Sequence, residues 1–339
     1  PVASGLDSPR GLAFLPNGTL VVAEAGHGGD VVIPNGPSLG LTGQVSKVNL
    51  ATGAHTPVVT GLFSGVDPEG GAIGIDGLST QGGRLLGIMG VFPQAFAGAD
   101  CAALPNAPSD CSAVMAAARA QAGALMKFTP SGASEQIANV GAHDYQFTVD
   151  NPGGSTFGSE LDANPYGLLA APGGTYVADA GANTLDWVSN DGQISVVHRF
   201  PVPHPAEPFP SDAVPTCVAR AGGHLVVADL AGRIWKVTGS NAALISGPTG
   251  DSYTGGNHFT GCVGDGAGNV YVVSMFNGLF PAPNVAQTGS VVKVTSSGDV
   301  STVAGGLVFP NGITAGPDGA LYVSVGSISN NGGIVRITL

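Results

Sequence analysis

One pattern recurs along this chain and restricts its fold more than any other feature. A short opening that ends in Gly or Cys plus an apolar residue is followed by a Gly-containing turn and an apolar strand. The clearest copy spans residues 164–200. It holds four apolar runs, at 168–170, 175–178, 185–188 and 194–197. Pro172-Gly173-Gly174, Gly181-Ala182-Asn183 and Asn190-Asp191-Gly192 divide them. Short runs separated by such turn residues predict an antiparallel four-stranded meander. One such sheet cannot bury both of its faces, so it needs neighbours.

Five further copies supply them. They open at Pro9-Arg10-Gly11-Leu12, Glu69-Gly70-Gly71-Ala72, Pro215-Thr216-Cys217-Val218, Thr260-Gly261-Cys262-Val263 and Pro310-Asn311-Gly312-Ile313. The expected fold is therefore all-β, a six-bladed β-propeller of four-stranded antiparallel blades. Seven blades is the alternative if the degenerate second copy conceals a further unit. The 55 glycines among 339 residues suit this density of tight turns. The last copy stops after its third strand, at Leu339. The chain begins with Pro1-Val2-Ala3-Ser4-Gly5-Leu6, which resembles fourth strands such as Pro57-Val58-Val59-Thr60-Gly61-Leu62. The N-terminus is expected to complete the final blade and close the ring, leaving no open sheet edge.

Strand alternation sorts the connections onto two faces. Turns between first and second and between third and fourth strands share one face and are short. The other face carries the long segments 25–42, 91–123, 141–163, 201–214, 248–259 and 275–288. The whole chain, 1–339, reads as a single domain with the 91–123 insertion in blade two, where residues 109–121 can form an Ala-rich helix. Long loops in a compact domain are usually functional, so the loop-rich face is the expected working face. A small molecule, a glycan or a protein is the expected partner there.

The net charge of −12 argues against a nucleic-acid partner, which needs a basic face. No apolar run is long enough to span a membrane. The chain opens at Pro1 without a leader, as expected of a mature, secreted, extracellular protein after signal-peptide removal. Four cysteines agree with an oxidising compartment. Cys101 and Cys111 share one insertion, and Cys217 and Cys262 occupy matching repeat positions, so both pairs are expected to be bridged.

The residue before each opening Gly or Cys should face the loop-rich mouth of the central channel. This gives Arg10, Glu69, Tyr166, Thr216, Gly261 and Asn311. Oxygens of Glu69 and Asn311 can hold one Ca²⁺ with waters. Arg10 between them favours instead an Arg10–Glu69 ion pair with Asn311 capping a turn. Glu24, Asp179 and Asp229 all end second strands and suit turn-fixing before acid catalysis, for which Asp179 and Asp229 are the candidates, while Arg10, Glu24, Tyr166 and Thr216 are the expected binding residues. Of the loop-face histidines His27, His143, His204 and His258, the pair His143-Asp144 invites a general-base or Zn²⁺ reading, and His258 is a second base candidate. No His-x₃-His, Cys-x₂-Cys or Gly-x-Ser-x-Gly spacing accompanies them. Lys47, Lys127, Lys236, Lys293 and Arg336 recur at one third-strand position and read as architecture.

These segments carry a family resemblance. Residues 164–168, 176–183 and 305–312 resemble the ScyD/ScyE family of secreted bacterial proteins, whose repeats are similar to NHL-type propeller repeats. That resemblance implies a secreted propeller and little assigned biochemistry. A more distant likeness is to SMP-30/gluconolactonase and strictosidine-synthase propellers. It implies that Asn311, in Pro310-Asn311-Gly312, corresponds to an axial metal ligand, with Glu69 as a loose match to the ligand Glu. The lactonase Pro-Asp-Gly has no counterpart, because the equivalent openings carry Tyr166 and Thr216. A metal-dependent, lactonase-like hydrolase or lyase at the channel mouth is the alternative to a binding protein.

Overall fold

A computed structural model describes residues 1–129, 131–153, 161–201, 212–247, 257–277 and 288–339. Six sheets form a propeller. In each blade the innermost strand follows the repeat opening: Pro9–Phe14, Ile75–Gln81, Pro165–Ala171, Pro215–Ala221, Asn257–Gly264 and Ile313–Ala315. The ring closes as the chain ends predict. Strand Ala3–Leu6 pairs antiparallel with Gly332–Ile337, with Ala3 opposite Ile334 and Leu6 opposite Gly332.

The core is distributed among the blade interfaces. Each of six buried clusters joins two adjacent blades. Leu86 and Ile88 meet Leu168 and Val177 between blades two and three. Ala3 and Leu6 meet Leu12 and Val22 between blades six and one. A wedge-shaped sheet buries both faces only when both neighbours are present, so closure and core formation are one event.

The opening glycines have a steric cause. Innermost strands crowd at the axis, and a Cβ on Gly11 would lie 2.6 Å from the backbone N of Leu78 in the next blade. A Cβ on Gly312 would likewise strike the backbone of Arg10. Blade four places Cys217 at this position, and it is bridged to Cys262 of blade five across a Cα–Cα distance of 5.8 Å. Cys101–Cys111 is the second disulfide. The Cys217–Cys262 bridge spans 45 residues. Closing a loop of that size restricts the unfolded chain, so the Cys217→Ala/Cys262→Ala protein should lose about 2–4 kcal/mol in urea denaturation.

Blade two differs from expectation. The fourth strand of blade one, His55–Val66, is long and turns back into a short strand, Ala72–Ile73. Glu69 sits exposed in that turn. The blade-two opening is instead Ile75-Asp76-Gly77-Leu78. In blade five, Gly261 pairs with Val273 as Gly167 pairs with Ala178, so Thr260 rather than Gly261 holds the mouth position.

Two helices cap the loop-rich face. Cys111–Gln121 is the expected Ala-rich helix. Val140–Asp150 lies where a loop was expected and is N-capped by Asn139, whose side chain accepts from Ala142 N at 2.8 Å. No described helix is long and apolar enough to cross a membrane.

Candidate site at the channel mouth

The six mouth positions are Arg10, Asp76, Tyr166, Thr216, Thr260 and Asn311. All but Tyr166 fall among the buried polar residues. Tyr166 reaches from blade three across the axis. Its hydroxyl oxygen accepts from Asn311 Nδ2 at 2.6 Å and from Arg10 Nη1 at 3.1 Å. The Arg10 guanidinium lies 5.9 Å from the Tyr166 ring centre. Arg10 Nη1 also donates to Asp76 Oδ1 at 2.8 Å, and Nη2 to the Ala72 carbonyl at 2.7 Å. Thr216 donates to the Phe259 carbonyl at 2.7 Å and Thr260 to the Asn311 carbonyl at 3.0 Å. This chain of bonds runs through every blade and forms a polar plate across the mouth.

Beneath the plate is a space of about 60 Å³ lined by Asp76, Tyr166, Thr216, Thr260 and Asn311. The channel widens toward the short-turn end, where a cavity of about 370 Å³ is bordered by Phe14, Thr80, Leu169, Arg220 and Thr314. The long loops and the wider opening therefore lie at opposite ends.

Burial raises Asp76 to about 6, with Arg10 pulling it back down. Burial also raises Tyr166, so the phenol stays neutral. Asp229 is raised to about 6 by burial against the opposing pull of Arg233 and Trp235. A carboxylate whose folded pKa exceeds its unfolded value binds more protons when folded, so stability falls as pH rises from about 4 to about 6. The exposed Asp191, Asp299 and Asp318 are shifted the other way by their hydrogen bonds, and their contribution is lost only below about 4. The melting temperature should thus be higher at pH 5 than at pH 7.5, and Asp76→Asn should shrink that difference.

The residues at the mouth do not fit a cation. Glu69 is in the exposed turn, and no described bond joins it to Asn311. Asn311 turns its amide N–H toward Tyr166. The carboxylate that replaces Glu69, Asp76, is paired with a guanidinium whose charge would repel a metal ion. The expected Glu69–Asn311 calcium pair is therefore not assembled.

The other candidates separate by what they touch. Asp179 Oδ1 accepts from the backbone N of Asn164, Gly181 and Ala182 at 2.7–2.9 Å. Asp229 is held by Arg233 and Trp235, both at 2.8 Å. Glu24 binds Asp7 N at 2.8 Å, Gln44 at 2.9 Å and Ser46. All three fix second-strand ends. His258 is buried, not solvated, and packs against Phe276 with ring centres 4.1 Å apart. His204 lies outside the described residues. His143 pairs with Asp144 at 2.7 Å on the rim helix. Among the recurrent third-strand cations, Lys127 pairs with Glu135, Lys293 lies over Tyr271 and Arg336 pairs with Asp318.

Sequence reasoning missed Asp76 and Thr260. The signal was present, since Asp76-Gly77-Leu78 repeats the x-Gly-apolar opening.

No protein-family model and no curated protein matches the sequence. Solved structures do match it in fold. A gluconolactonase from Xanthomonas campestris aligns over 98% of this chain and 87% of its own, with TM-score 0.57 and 9% identity. A luciferin-regenerating enzyme aligns over 98% and 92%, with TM-score 0.55 and 12% identity. A Bacteroides thetaiotaomicron protein of unknown function aligns over 98% and 70%, with TM-score 0.60 and 10% identity. At such identities the likeness establishes the β-propeller class, a scaffold on which enzymes occur, and nothing finer.

Proposed function

We propose that this protein binds a small polar molecule on the loop-rich face of its propeller, with the Arg10–Asp76–Tyr166–Asn311 plate as the floor of the site. One observation carries the reading. A guanidinium and an amide from different blades converge on one phenol oxygen, beneath the face that bears the long connections. Burying such groups costs free energy unless every member is partnered. Holding them at an axis that apolar side chains could fill suits recognition better than packing.

The plate pairs one guanidinium with one carboxylate, and the chain carries a net charge of −12. A neutral, oxygen-rich molecule such as a lactone or polyol therefore suits it better than a multiply charged anion. Both disulfides are consistent with work in an oxidising, extracellular setting. A second reading, a hydrolase or lyase, is favoured by Asp76 alone. A carboxylate with a pKa of about 6 is ionised at neutral pH and basic enough to take a proton.

Soaking crystals with neutral lactones and polyols tests the first reading. Ligand density over the plate at the loop-rich mouth is expected. Occupancy confined to the wide cavity at the short-turn end would overturn it. Lactone turnover that disappears in Asp76→Asn while binding persists would establish the second reading.

A further inference from the structure

Away from the axis, helix Val140–Asp150 presses two side chains onto blade three. Asp144 is fully buried and its Oδ1 lies 2.7 Å from His143 Nδ1. Asp186, in strand Thr184–Ser189, is fully buried beside it. The Thr184 hydroxyl donates to Asp186 Oδ2 at 2.7 Å and lies 3.5 Å from Asp144 Oδ2. Asp186 Oδ1 is buried and has no partner among the described residues. Asp179, bound to backbone N–H groups through Oδ1, has its Oδ2 in the same condition.

One ligand atom from each of His143, Asp144 and Asp186 lies within 4.8 Å of the others. We infer that His143, Asp144 and Asp186 form a binding site for a single divalent metal ion, Zn²⁺ in preference to Ca²⁺.

Three features support this. First, two carboxylates with no exposure face each other, and among the described residues the only basic group bonded to either is an imidazole. Buried like charges in that state demand either a bound cation or bound protons. Second, Asp186 Oδ1 is buried beside the Asp144 carboxyl group and has no hydrogen-bond donor among the described residues, as a ligand oxygen lacks one when it faces a metal position. Third, the His143 side chain is 34% exposed, which gives the cluster a path to solvent and an open coordination position for water. Three protein ligands of N and O type with a fourth position free is the arrangement of an accessible zinc site. The imidazole nitrogen makes a poor ligand for Ca²⁺, which takes six to eight oxygens. Imidazole and carboxylate ligands bind a metal in their deprotonated forms, so binding should release protons.

This site is independent of the channel mouth and survives failure of the ligand-binding reading. The test is calorimetric titration of chelator-treated full-length protein with ZnCl₂ and, separately, CaCl₂. One Zn²⁺ per chain is expected, with a heat that depends on buffer ionisation. His143→Ala and Asp186→Asn should each weaken binding at least about tenfold, while His27→Ala, at the exposed His27–Asp7 pair, should leave it unchanged. His143 is partly exposed, so its replacement keeps the test valid if Asp186→Asn misfolds. Absence of stoichiometric Zn²⁺ binding, Ca²⁺ binding as tight as Zn²⁺, or Zn²⁺ binding indifferent to His143→Ala would overturn the inference and leave shared protons as the neutralising charge.

Discussion

Deletion of residues 1–6 is expected to lower stability by about 4–8 kcal/mol and the melting temperature by about 10 °C. A buried leucine contributes about 2–5 kcal/mol, and the backbone bonds of a short strand about 1 kcal/mol each. Leu6 has no exposure and Ala3 only 5%. Both belong to the cluster that seals blade six against blade one. Their removal also bares Gly332–Ile337 as an open edge, which favours intermolecular pairing. Removing Leu339, which is 60% exposed, is the matched control and should change little. Thermal unfolding with light scattering reads both effects. Equal melting temperatures for the two truncations would show that the N-terminal strand does not close the ring.

Arg10→Ala should cost about 3–5 kcal/mol, because it strands the Asp76 carboxylate in the interior. The sign of its pH dependence follows from the partner. Arg10 is what lowers the Asp76 pKa against burial. Without it the folded pKa climbs further, and the penalty for holding a charge grows above that pH. The loss measured in urea should therefore be larger at pH 8 than at pH 5, and Arg10→Ala/Asp76→Asn should recover part of it. A loss independent of pH would mean that Asp76 is not the group left unpaired.

Much of the fold was legible because its rules are local. A Gly at the axis, a turn at each strand end and an apolar pattern between them recur in nearly every blade, and the deficit at Leu339 matches the surplus at Val2–Leu6. The cysteine pairing was legible for a different reason: Cys101 and Cys111 fall in one insertion, and Cys217 and Cys262 lie on the innermost strands of adjacent blades, which approach closely at the axis even though the two positions are one residue out of register. The site was less so. Glu69-Gly70-Gly71-Ala72 imitates a blade opening, yet it belongs to a turn created by the unusual length of His55–Val66. Strand length depends on tertiary pairing, which the local pattern does not carry. Aligning Cys217 with Cys262 shifted blade five by one residue and concealed Thr260. The helix Val140–Asp150 was hidden by its β-branched and aromatic residues, poor helix formers that are stabilised by packing on the blade. That helix brings Asp144 to Asp186, so the cluster it builds could not be read from spacing.

Ring closure brings Tyr166 and Asn311, 145 residues apart, into contact across the axis. A double-mutant cycle of Tyr166→Phe and Asn311→Ala, measured by urea denaturation, tests this most directly. The structure predicts a coupling energy of about 1 kcal/mol, as for partners within one buried network. Additivity within about 0.3 kcal/mol would contradict it, and with it the polar plate at the channel mouth.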